Sequence, residues 1–104
     1  MELNAYQEAA NTTAVYRKSL KTVIGRLNYV ILGMNGEAGE VANNVKKVAR
    51  DDSSKLTKIR RAAIIDELGD TLWYVALACS ELGTTLEELA QGNLDKLAER
   101  HAKP

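Results

Sequence analysis

One cysteine, one proline, one histidine and no phenylalanine occur in 104 residues, and fourteen acidic side chains cancel fourteen basic ones. Each scarcity removes a class of protein. A lone cysteine excludes an internal disulfide, and Cys79 falls in an apolar stripe where it reads as inert core. The proline is the last residue, so none interrupts a helix. Zero net charge leaves no global field to draw the chain to nucleic acid or an anionic membrane. The longest apolar run, Leu72 to Cys79, is too short to cross a bilayer. Met1 leads into polar residues without a secretory or transit pattern, so the expectation is a cytoplasmic protein. His101 lies in the C-terminal tail, which weakens any nucleophile–histidine pairing.

What remains is helical. Apolar residues make up 45% of the chain, and no window alternates apolar with polar, so strands are unsupported. The expectation is a single all-α domain over 1–104 with four helices. The first runs from about Leu3 to Ser19 on weak periodicity. The second, about Val23 to Arg50, carries the stripe Leu27, Ile31, Met34, Ala38, Val41, Val45 and Val48. Asp51 to Ser54 forms the clearest loop. The third, about Leu56 to Leu82, carries Ile65, Leu68, Leu72, Val75, Cys79 and Leu82, with a second apolar face of Ile59, Ala63, Tyr74, Leu77 and Ala78. A helix apolar on two faces is expected to be buried nearly all round. Gly83 reads as a C-cap. Thr84 and Thr85, each with a glutamate three residues on, open a fourth helix that reaches about Arg100. Two long helices joined by a short loop pack antiparallel. A domain this short buries a limited share of its surface, so self-association is expected.

Two acidic pairs stand out against this background. Glu37-x-x-Glu40 lies on the second helix and Glu67-x-x-Asp70 on the third, each bordered by apolar, small or glycine residues. Residues three apart share a helix face, and like charges there repel. Equal distances from the loop bring the two pairs to similar heights, so four carboxylates could converge on a cation. An all-oxygen set suits Mg²⁺ or Mn²⁺. The absence of a Glu-x-x-His argues against a di-iron bundle. Gly33, Gly36 and Gly39 each cost up to about 1 kcal/mol in a helix interior. They either make room beside the acids or mark a helix break near Gly33 to Gly36. The bland alternative for the acids is ordinary surface charge.

The fourth helix has the stripe Leu86, Leu89, Ala90, Leu94 and Leu97, with Asn93 set within it. Lys96 and Arg100 line up beside Asn93, a cationic face able to meet the anion that such a metal would hold. Lys47, two turns beyond Glu40, is a further cationic candidate. Tyr74, one turn after Asp70, could reach the site by its hydroxyl. Trp73 reads as core or oligomer interface. Tyr6, Gln7 and Asn28 are weaker candidates for contacts to a ligand.

Together, Gly36-Glu37-Ala38-Gly39-Glu40-Val41-Ala42, Asp66-Glu67-Leu68-Gly69-Asp70-Thr71-Leu72-Trp73-Tyr74, Glu81-Leu82-Gly83 and Asn93-x-x-Lys96-x-x-x-Arg100 resemble the MazG-like nucleotide pyrophosphohydrolases. That group belongs to the all-α nucleoside triphosphate pyrophosphatases. Many members carry a further glutamate where this chain has Gly36. The resemblance implies Mg²⁺-dependent hydrolysis of a (deoxy)nucleoside triphosphate to the monophosphate and pyrophosphate. It assigns Glu37, Glu40, Glu67 and Asp70 to the metal and the catalytic step, and Asn93, Lys96 and Arg100 to phosphate. It also implies a homodimer or homotetramer in which helices of two subunits complete each site. Two other functions fit the same residues: a non-catalytic helical dimerisation or regulatory module, and a hydrolase of another nucleotide phosphoanhydride.

Overall fold

The computed structural model describes residues 1–102; residues 103 and 104, the last two of the expected domain, lie outside the described residues. Four α-helices follow in order: α1 (Leu3–Asn11), α2 (Val23–Asp51), α3 (Lys58–Glu81) and α4 (Leu86–Ala102). A short 3₁₀ helix (Val15–Lys18) joins α1 to α2, and the described residues include no strand.

Threonines start three of these helices. Thr22 Oγ1 accepts from the Gly25 amide, Thr57 Oγ1 from Arg60 and Thr85 Oγ1 from Glu88, each satisfying an amide that the helix leaves open. The expected first helix to Ser19 stops early. Thr12 and Thr13 turn their hydroxyls back onto the carbonyls of Ala9 and Ala10, where side-chain bonding competes with the next helical turn. At the far end of α3, Gly83 adopts φ +72°. Its amide donates to Ser80 O and that of Thr84 to Cys79 O, a Schellman closure for which glycine pays no steric cost. The α2–α3 turn is tighter: Ser53 and Ser54 both have positive φ, at 55° and 59°. Arg60 clamps it by donating to Asp52 and to the side chain of Asn44.

The long helices α2 and α3 pack antiparallel, and α2 runs unbroken through Gly33, Gly36 and Gly39. The faces that meet are only in part those of the sequence stripes: Leu27, Met34, Val41, Val48 and Val75 are half-buried and Cys79 is buried. Val30 is fully buried on α2, whereas Ile31 and Val45 of the expected seam are exposed. On α3 the side facing α2 holds Glu67, Thr71 and Tyr74, and the expected seam leaves Ile65, Leu68, Leu72 and Leu82 open. Burial all round holds only for the C-terminal half of α3, at Ala76, Leu77 and Cys79. The physical reason is that a single neighbour, α2, covers the N-terminal half, and it covers one face.

The core is therefore small and set at one end, where Val30, Leu77 and Cys79 meet Tyr16, Ala76 and Leu86. Gln7 of α1 ties the start of α4 to this end. Its carbonyl accepts from the Leu86 amide, and its Nε2 donates to Ser80 Oγ and Thr84 O. Beyond that anchor α4 stands away from the body, with Leu89, Leu94 and Leu97 exposed. The radius of gyration is 16.6 Å, against about 13 Å for a compact chain of about 100 residues.

Candidate metal centre

Glu37 of α2 and Glu67 and Asp70 of α3 converge. Each offers a carboxylate oxygen, and the three oxygens lie within 4.8 Å of one another. Glu37 and Glu67 are half-buried and Asp70 is exposed. None of the ion pairs among the described residues involves these three. Among the described residues, the negative charge at this point is thus met by no basic side chain within ion-pair distance.

The protonation behaviour follows. A hydrogen bond with Glu37, then partial desolvation and the charges of Glu37, Asp70 and Asp66, push the Glu67 carboxyl up to about 7. Asp70 is raised too, by desolvation first and then by Glu37 and Asp66. A carboxyl holds a cation in its ionised form, so a proton on Glu67 and a cation at this point would compete. Oxygen donors alone, acceptor-only when ionised, fit a hard divalent ion. Glu40 is exposed one turn from Glu37 and stands outside the converging trio. The structure brings together three of the four expected carboxylates.

Aromatic side chains border the trio. Tyr74 lies near enough to feel its charge: burial first, then Tyr29, Glu37 and Asp70, push its hydroxyl pKa up. Tyr6 of α1 feels Asp70 after the larger effect of its own burial. Trp73 packs against the core, meets Tyr74 edge-on, and donates from Nε1 to Thr13 Oγ1 at 2.8 Å. Gln7 is buried and committed to anchoring α4, so it offers no ligand contact. Asn28 is exposed on α2. Cys79 is 1% exposed and burial raises its thiol pKa, as inert core requires.

The cationic candidates do not reach the trio within one protomer. Lys47 sits near the turn, where its charge acts on Asp51. Asn93, Lys96 and Arg100 are exposed on α4, which packs against α1 and α3 near its start. Asn93 therefore faces water here and needs no buried partner.

A second carboxylate site escaped the sequence reading. Glu81, with its side chain 2% exposed, accepts from Arg17 Nε and Arg26 Nε at 2.9 Å each and from the Tyr16 hydroxyl at 2.9 Å. Tyr16 stacks on Tyr29 with centroids 4.7 Å apart. No local spacing announces this cluster, because its members come from three separate elements.

Residues 26–103 match the family model for the MazG nucleotide pyrophosphohydrolase domain. The chain is also 42% identical over 102 residues to the "Gene 37 protein" of Mycobacterium phage L5, covering 96% of this chain and 89% of the phage protein. That name assigns no activity. No solved structure matches.

Proposed function

The chain belongs to the MazG nucleotide pyrophosphohydrolase family, and from that premise we propose that it hydrolyses a (deoxy)nucleoside triphosphate to the monophosphate and pyrophosphate in the cytoplasm, with Mg²⁺ as the working cation and Mn²⁺ as a substitute. The observation that carries this reading is the convergence of Glu37, Glu67 and Asp70 from two helices. When bound, the metal supplies charge neutralisation for the polyphosphate and lowers the pKa of a coordinated water.

The side chains divide the remaining work. Glu37, Glu67 and Asp70 hold the cation through carboxylate oxygens, which fixes the polyphosphate against α2 and α3. Glu40, outside the trio but one turn along the same helix, is available to take the proton of an attacking water. The Tyr74 hydroxyl, close enough to feel Glu37 and Asp70, donates to a phosphate oxygen. Asn93, Lys96 and Arg100 contact phosphate, and because α4 stands away from its own trio, they serve the site of a second subunit. Exposed Leu68 and Leu72 on α3 and Leu94 and Leu97 on α4 support a homodimer or homotetramer, since such apolar surface favours burial against another chain.

Incubation of the protein with a panel of nucleoside triphosphates and Mg²⁺, assayed for pyrophosphate, tests the reading. Release of pyrophosphate and monophosphate is expected, with Glu67→Gln lowering the rate by about a hundredfold or more. No product from any nucleotide would leave the dimerisation module as the function. Orthophosphate instead of pyrophosphate would move the cut away from the α–β bond.

A further inference from the structure

Gly33 lies on α2 one turn before Glu37, and Tyr74 lies on α3 one turn after Asp70. The two helices thus meet at Gly33 and Tyr74 in the rung beside the acidic trio. A methyl group at Gly33 would overlap the Tyr74 ring at three atoms, Cε1, Cζ and Cδ1. Nothing comparable holds at Gly36 or Gly39, where an added Cβ meets no atom within 4 Å. The half-buried ring is braced by the core and by the Trp73 indole, which meets it at 85° with centroids 4.9 Å apart. An alanine at position 33 must therefore expel the ring or push α2 from α3, and either movement reaches Glu37 and Asp70 within one turn.

We propose that Gly33 is a positioning residue for the metal centre: by letting the Tyr74 ring lie directly on the α2 backbone, it sets the helix separation at which Glu37 meets Glu67 and Asp70. The inference rests on the metal-centre reading above. It also gives the glycine a role that helix propensity cannot, since alanine is the better helix former and would otherwise be favoured at this position.

Titration of Mn²⁺ into the nucleotide-free protein, followed by electron paramagnetic resonance, tests the role without reference to hydrolysis. Gly33→Ala is expected to weaken Mn²⁺ binding by about tenfold to a hundredfold, as displaced supporting groups do at metal sites, with helical circular dichroism retained. In a Tyr74→Ala background the same substitution is expected to cost nothing further, because the overlapping ring is gone. Native affinity in Gly33→Ala, or an equal loss in both backgrounds, would overturn the proposal, as would a native protein that takes up no Mn²⁺. If Gly33→Ala does not fold, a folded double variant with the Mn²⁺ affinity of Tyr74→Ala upholds the proposal, and an unfolded one overturns it. The two readings fail separately. A native protein that binds Mn²⁺ but releases no pyrophosphate ends the hydrolase reading alone. A Gly33→Ala variant with full pyrophosphate release and full Mn²⁺ affinity ends this one alone.

Discussion

Glu67 and Glu81 are the same residue type on the same side of α3, about 21 Å apart along its axis at about 1.5 Å per residue. Their surroundings are opposite. Glu81 is met by Arg17, Arg26 and the Tyr16 hydroxyl, and every buried side-chain polar atom among the described residues has a partner. Glu67 is met by Glu37 and Asp70, two further acids. One end of the helix closes its electrostatics within the chain, and the other gathers three acids that form no ion pair among the described residues. The closed carboxylate fastens the 3₁₀ helix and the start of α2 to the end of α3. The open one is where the proposed cation would sit. What separates structure from function here is which groups face the carboxylate, and neither residue type nor helix position decides it.

The closed end should break hardest. Glu81→Ala would leave two arginines facing a buried gap, and a loss of about 3 kcal/mol is expected. That is the low end for a broken buried pair, because the Arg17 and Arg26 side chains keep 41% and 21% exposure. Urea unfolding at fixed protomer concentration measures it, through a lower midpoint at unchanged slope. A loss under about 1 kcal/mol would mean that the cluster behaves as surface charge. Arg17→Met sharpens the contrast within the cluster. Arg17 is the more exposed arginine, and Arg26 also donates to Leu20 O, so about 1 kcal/mol or less is expected from Arg17. Equal losses from Arg17→Met and Arg26→Met would remove that distinction.

Much of this was legible before any coordinates. The bounds of α2, α3 and α4 follow from periodicity, threonine caps and the left-handed Gly83, because these signals are local. Glu37, Glu67 and Asp70 were legible for the same reason, as was their similar distance from the turn, whereas the place of Glu40 outside them was not. Which face of each helix turns inward was legible only in part. The stripes through Ile31 and Val45 on α2 and through Leu68 and Leu72 on α3 are real, but they lie outside the α2–α3 contact. Periodicity reports that a face is apolar without reporting which neighbour covers it. The Glu81 cluster was illegible because Arg17, Arg26 and Glu81 come from separate elements. Gly33 was singled out as space beside the acids, and only the position of Tyr74 shows what fills that space.

The smallest expected effect concerns pH, because the trio is open to solvent and its charges are screened. The Glu67 carboxyl stands at about 7 in the fold against an ordinary value of 4.5. Between those values the folded chain holds more protons than the unfolded one, so stability falls as pH rises through that window. Glu81 runs the other way. Burial works to raise its pKa, but the hydrogen bonds from Arg26, Arg17 and Tyr16 outweigh it and leave the pKa lowered. Its contribution is complete above the ordinary carboxyl value and is lost as pH falls through the lowered one. Thermal unfolding in EDTA from pH 5 to pH 8 should therefore show a decline that Glu67→Gln flattens and Glu81→Gln leaves in place. Added Mg²⁺ should reverse the decline in the native and Glu81→Gln proteins but not in Glu67→Gln, since a cation held by ionised carboxylates favours the fold more as protons leave. An identical slope in the native and Glu67→Gln proteins would show that the Glu67 carboxyl is not raised in the fold, and the open end of α3 would then resemble ordinary surface charge.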